Sequence, residues 1–156
     1  MHRIIEADLS NERHCSAIVE MIAAHAASEF GRRQAMTHDE RARLIPALAN
    51  FPAKHVLLLV EGTEVCGLAI CFRQLSTFSG KEMLKLHDLF VCDRYRGRGY
   101  GRALVEATIG LGRERNCAFV NVEVATDNPI AVKLYDQLGF RDWLTPTKFL
   151  ELRLPG

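Results

Sequence analysis

Three glycines, Gly97, Gly99 and Gly101, fall within five residues, between an apolar segment ending at Val91 and an amphipathic one beginning near Leu104. Glycine tolerates the sharp turns and close approaches that other residues resist, so Val91–Arg102 reads as a strand turning directly into a helix. A helix that starts in such a turn aims its unpaired N–H groups and positive dipole end at whatever occupies it. Four arginines against one aspartate give the segment a local charge of +3, and a pyrophosphate is the natural ligand. Two familiar phosphate motifs fail on spacing. The GxGxxG frame would need glycine at Arg102 or Leu104, and no Gly-Lys-Ser/Thr follows as a P-loop requires. A strand–helix turn with solvated arginines, and an arginine–glycine contact to nucleic acid, stand as the alternatives at this point.

The remaining pattern sets that turn in a larger frame. Arg3–Ala7 suits a short strand. Ser10 or Asn11 then caps a helix with Cys15, Ile18, Val19, Ile22, Ala23 and Ala26 on one stripe, stopped by Gly31. Thr37 and Glu40 have capping-box spacing and open a second helix through Leu44, Ile45 and Leu48, which Pro46 should kink or shorten. From His55 the period changes. His55–Val60, a turn at Glu61–Glu64, and Val65–Phe72 read as a buried hairpin. A loop at Gln74–Gly80 leads to a third strand at Met83–Val91. After the turn come a helix with Leu104, Thr108 and Leu111 on one face, a strand at Ala118–Val124, and a helix from Asn128-Pro129 to Gly139. Thr147–Leu154 alternates as a half-buried strand would. The order predicts a mixed α/β sheet with helices on both faces.

Length and composition narrow the function. The chain has 156 residues, enough for one domain, 1–156; 48% are hydrophobic and 25% charged, so a packed core is expected. A net charge of +1 argues against a dedicated nucleic-acid or membrane-surface binder. Apolar runs such as Val56–Val60 are too short to span a bilayer, and the N-terminus has no signal-peptide core. Cys15, Cys66, Cys71, Cys92 and Cys117 form no CxxC pair and read as small buried hydrophobes of a reducing, cytoplasmic setting. The six histidines are scattered, so no metal site is expected.

Arg96-x-x-Gly99-x-Gly101 after a strand, then Asn128 and Tyr135 on a later helix ending Leu138-Gly139-Phe140, resembles the GNAT superfamily of acetyl-CoA-dependent N-acetyltransferases. The likeness covers roughly Met83–Trp143. Leu86–Val91 also looks like the corresponding strand of diamine acetyltransferases, which carry Glu where this chain has His87. The resemblance implies a mixed, mostly antiparallel central sheet flanked by helices, with acetyl-CoA as donor. Leu89, Phe90 and Val91 would then hold the acetyl and pantetheine through their backbones. Arg96, Gly97, Arg98, Gly99, Tyr100, Gly101 and Arg102 would cradle the pyrophosphate, and Asn128 the pantetheine arm. Tyr135 would protonate the departing thiolate, although by phase with Ile130, Leu134 and Leu138 it equally suits a helix core.

His87 can take the proton that an amine must lose before it attacks, or be a packed strand histidine. Alternation puts it opposite Asp88 unless a bulge intervenes. Asp88 can bind a cationic acceptor, orient a turn or pair with an arginine, since an unpaired carboxylate in an apolar strand is costly. The expected partner is a small-molecule amine, with no nucleic acid and no membrane. Its identity would be set by the first two helices, Ser28–Met36 and Gln74–Lys81. A non-catalytic acyl-CoA sensor is the competing class. Pairing of the exposed final strand would give a homodimer.

Overall fold

The apolar runs of the middle of the chain become the centre of a single sheet. The computed structural model describes residues 1–143, 148 and 150–154. In chain order these form β1 (His2–Glu6), α1 (Glu12–Ala27), α2 (His38–Asn50), β2 (Lys54–Glu61), β3 (Glu64–Ser76), β4 (Lys81–Val91), a 3-10 turn (Asp93–Tyr95), α3 (Tyr100–Glu114), β5 (Val120–Val122) and α4 (Pro129–Gln137). The strands lie in the order β1-β2-β3-β4-β5. The first three junctions are antiparallel and the last, β4 to β5, is parallel.

Strand alternation splits the core between the two faces. Leu57, Leu59, Ala69, Cys71, Leu84 and Leu86 pack with Tyr100, Leu104, Val105 of α3 and Tyr135 of α4. Val56, Leu58, Leu68, Ile70 and Phe90 pack with Ile18 and Met21 of α1 and Leu48 of α2. Each fully buried Leu removes enough apolar surface from water to contribute about 1.5–3 kcal/mol.

Helix ends follow local chemistry. Asn11 caps α1, its Oδ1 accepting from the N–H groups of Arg13 (2.9 Å) and His14 (3.3 Å). The Thr37–Glu40 box is closed in both directions, and Arg32 donates twice to the same Glu40 carboxylate at 2.8 Å.

Several expectations are corrected. α1 ends at Ala27 with Ser28 as its cap, ahead of Gly31. Pro46 does not end α2, which runs to Asn50; Pro46 and Ala42, whose carbonyl loses a partner, both lie on the exposed side, where water can replace the bond. Gln74–Ser76 continue β3 rather than beginning a loop, paired with Lys81–Met83 of β4. The Ala118–Val124 strand is only Val120–Val122. Ile130 is exposed, and Ala131, Leu134 and Leu138 accompany Tyr135 into the core instead. Of the proposed final strand, Thr147 and Phe149 lie outside the described residues. Leu150, Leu152 and Leu154 are exposed and belong to no strand.

Candidate functional site

β4 carries the feature that shapes the site. Ile70 of β3 pairs with Asp88, but the next residue, Cys71, pairs with Leu86. His87 is therefore the extra residue of a β-bulge, which resets the alternation of the strand. Before it, Leu84 and Leu86 face α3; after it, Leu89 and Val91 do so. His87 and Asp88 consequently share the α1/α2 face, against the plain alternation expected from sequence. The exposed His87 ring stands edge-on to Phe72 at 5.2 Å. Asp88 Oδ1 lies 3.8 Å from His25 Nε2 on α1, both side chains about a quarter exposed. Asp88 thus has a histidine beside it, not the arginine considered from sequence. His25 also packs on Phe90 at 5.8 Å between ring centres.

The other edge of β4 opens beyond the bulge. β5 pairs only with Leu84–Leu86, while β4 continues to Val91. The Cys92 N–H donates to the Cys66 carbonyl of β3 at 2.9 Å. Alternation turns the backbone groups of Phe90 the same way and those of Leu89 and Val91 toward the side that β5 has left. There the Val91 carbonyl accepts from Arg96 Nε at 3.1 Å. The Val91 N–H and both backbone groups of Leu89 face the opening.

The glycine turn lies at the end of this edge. Gly97 (φ 75°) and Gly99 (φ 79°) are in the left-handed region, and Gly99 caps α3 without any side-chain hydrogen bond. The first-turn N–H groups, at Tyr100, Gly101 and Arg102, have no partner within the helix, whereas Ala103 N–H already reaches the Gly99 carbonyl at 3.0 Å. A Cβ on Gly97 or Gly99 would meet nothing within 4 Å, so it is the left-handed backbone rather than crowding that calls for glycine there. One on Gly101 would come within 3.8 Å of Leu134 on α4 and 4.0 Å of Val91, which brings the turn, β4 and α4 together.

The arginines of the turn are not free charges. Arg94 pairs with Glu64 (2.9 Å), Arg96 with Asp93 (2.9 Å), Arg98 with Glu61 (3.3 Å) and Arg102 with Glu106 (2.9 Å). The local excess counted along the sequence is largely compensated by carboxylates from elsewhere. Tyr100 sends its side chain into the core, 6% exposed, and its hydroxyl donates to Glu61 Oε1 at 2.6 Å.

On α4, Asn128 Oδ1 caps the helix, accepting from Ala131 N–H at 3.2 Å; among the described residues its amide NH2 has no hydrogen-bond partner. Tyr135 is 7% exposed and edge-on to Phe140 at 5.5 Å. Burial alone pushes its phenol up to about 12. It borders a groove of about 810 Å³ that runs past Val120, Val122, Leu138, Phe140 and Trp143. The glycine turn does not line that groove.

Cys66 and Cys71 are buried as expected, while Cys15, Cys92 and Cys117 are only half-buried. Burial pushes the Cys71 thiol up to about 12, so it is a poor nucleophile. Among the described residues no three His, Cys, Asp or Glu side chains gather as a metal site would need, and no helix is long and apolar enough to cross a membrane.

Sequence reasoning missed His25 and Glu61. The first had a signal, since it falls seven residues after Ile18 on the buried stripe of α1. The second had none, its contacts lying 37 and 39 residues away.

Comparison with known proteins places this arrangement. The family model described as Acetyltransferase (GNAT) family matches residues 19–140. An uncharacterized N-acetyltransferase of Methanocaldococcus jannaschii is 31% identical over 83 residues, covering 53% of this chain but only 37% of that protein. The thialysine N-epsilon-acetyltransferase of Mus musculus is 27% identical over 155 residues, covering 94% of this chain and 90% of that one. Among solved structures, AAC(6')-Iy in complex with the bisubstrate analogue CoA-S-monomethyl-acetylneamine has the same fold, with a TM-score of 0.79, 16% identity and 99% of both chains covered.

Proposed function

The chain belongs to the acetyltransferase (GNAT) family, and from that premise we propose that it carries acetyl from acetyl-CoA to a primary amine by direct attack, both substrates bound together. The observation that carries this reading is the opening of β4 from β5 after Leu86, beside a helix start with unpaired amides. Acetyl-CoA supplies the acetyl group as a thioester, and the residues present suit it. The amides of Gly97–Arg102 and the α3 dipole face an anion, with Arg96, Arg98 and Arg102 at its margin. Leu89 and Val91 offer backbone groups along the opening, Phe90 borders the opposite face, and the Asn128 amide is a donor near the start of α4.

Val91 N–H polarises the acetyl carbonyl. On the α1/α2 face Asp88 holds the incoming ammonium, and His87 takes its proton directly or through water. Tyr135 gives its proton to the departing sulfur. Burial keeps the phenol protonated, and the same dry surroundings raise the proton affinity of the thiolate. No acyl-enzyme is formed, in keeping with the buried, unreactive thiol of Cys71. The acceptor is a small amine, amino acid, polyamine or peptide N-terminus. The M. musculus relative, named for thialysine, favours the first three.

The test is mass spectrometry of a pooled amine panel with acetyl-CoA, run beside Tyr135→Phe. The expected result is one acetylated product, lost in the variant. Acetyl found first on a cysteine, at a competent rate, would overturn direct transfer.

A further inference from the structure

Glu61, the last residue of β2, touches the glycine turn in two different ways. Its Oε1 accepts from the hydroxyl of Tyr100, the first residue of α3, at 2.6 Å. Its Oε2 accepts from Arg98 at 3.3 Å. The two contacts differ in kind. Tyr100 is buried, with its ring 5.0 Å from that of His2 and 6.3 Å from that of Tyr95, so its bond to Glu61 pins the start of α3 to the sheet. Arg98 is about half exposed and Glu61 about one-third, so their pair stands in water and can be exchanged. Arg98 meanwhile lies over the Tyr95 ring at 5.2 Å, with Arg94 at 4.8 Å from the same ring.

We propose that Glu61 is a positioning residue of the anion cradle, holding the amides of α3 in place through Tyr100 and serving as the counter-ion from which CoA draws Arg98. This rests on the reading that the turn takes the pyrophosphate. A pyrophosphate offers several charged oxygens to the guanidinium and to the free amides together, and so outcompetes one solvated carboxylate. A monovalent anion, unable to engage both, leaves the Glu61–Arg98 pair intact. The cradle then discriminates by displacement, with little net charge shown to solution beforehand.

The two roles separate by mutation. Glu61→Gln still accepts from Tyr100 but no longer competes for Arg98, whereas Glu61→Ala removes both contacts. Binding of free CoA is measured by calorimetry on the wild type and on each variant, with thermal melts to verify folding. Glu61→Gln should bind CoA about two- to five-fold tighter, the range of an exposed ion pair, with KM for acetyl-CoA lowered in step. Glu61→Ala should bind more weakly than Glu61→Gln, and Tyr100→Phe should add nothing to it. The gain in Glu61→Gln should vanish when Arg98→Ala is also present. Unchanged or weaker CoA binding by a normally folded Glu61→Gln protein overturns the proposal. Should Arg98→Ala alone leave CoA affinity untouched, the placing of the pyrophosphate beside Arg98 fails with it. Weaker binding by Arg98→Ala with no gain in Glu61→Gln refutes only the role of Glu61.

Discussion

Tyr135, the proposed general acid, is also a buried core side chain, and the two effects of replacing it can be read separately. Replacing it by Phe keeps the buried ring against Phe140 but removes the proton donor. Turnover should fall by about 10²–10⁴-fold while CoA binding stays within two-fold of wild type, as kcat and calorimetry would report. The phenol, raised from 10 to about 12, favours the folded state only while protonated. Its contribution is complete below pH 10 and disappears as pH rises toward 12, worth about 2–3 kcal/mol. The wild type should lose that stability relative to Tyr135→Phe in alkaline melts. Glu40 runs the other way. Two bonds from Arg32, with help from the Thr37 N–H, hold its carboxyl down from 4.5 to about 2. Its support for the α1–α2 connection is present above pH 4.5 and is lost as pH falls toward 2. Acid melts of wild type and Glu40→Gln should converge over that window. Tyr135, Asn128 and the Thr37–Glu40 box were legible because helix caps and phases are local. Glu61 was not, because its partners are distant in sequence.

β4 shows what one extra residue does to an element. Strict alternation would have set His87 and Asp88 on opposite faces; the bulge at His87 puts both toward α1 and α2. Nothing in Leu86–Leu89 announces it, since a bulge is settled by how β3 and β4 share their ladder. The close packing of α3 on the sheet was equally silent. A Cβ on Gly112 would come 2.8 Å from the Val120 side chain and 3.8 Å from that of Leu84. Gly112→Ala would normally favour a helix, but here it must push α3 away from β5. The expected net loss is about 1–3 kcal/mol, seen as a Tm lower by several degrees. An unchanged Tm would mean that β5 yields freely at this junction.

For the whole molecule, the sheet carries the two halves of the proposed site on opposite sides. α3, α4 and the glycine turn occupy one face and one end; α1, α2 and the bulge occupy the other, with the opened edge of β4 between them. Binding at the turn should therefore stabilise the entire fold by linkage. CoA at 100 times its Kd should add about 2.7 kcal/mol and raise Tm by roughly 5–10 °C; no shift at saturation would contradict binding to the native state. The element order as far as α4, the mixed α/β class and the strand–glycine–helix junction were determined by the sequence alone, because periodicity, caps and glycine conformations are properties of neighbouring residues. The tertiary structure decided the rest. It parted β4 from β5 after three paired residues, moved His87 and Asp88 onto one face, brought His25 to Asp88, and matched Arg94 with Glu64 and Arg98 with Glu61. Those outcomes depend on strand register and on through-space charge pairing, which act between residues that the chain itself keeps apart.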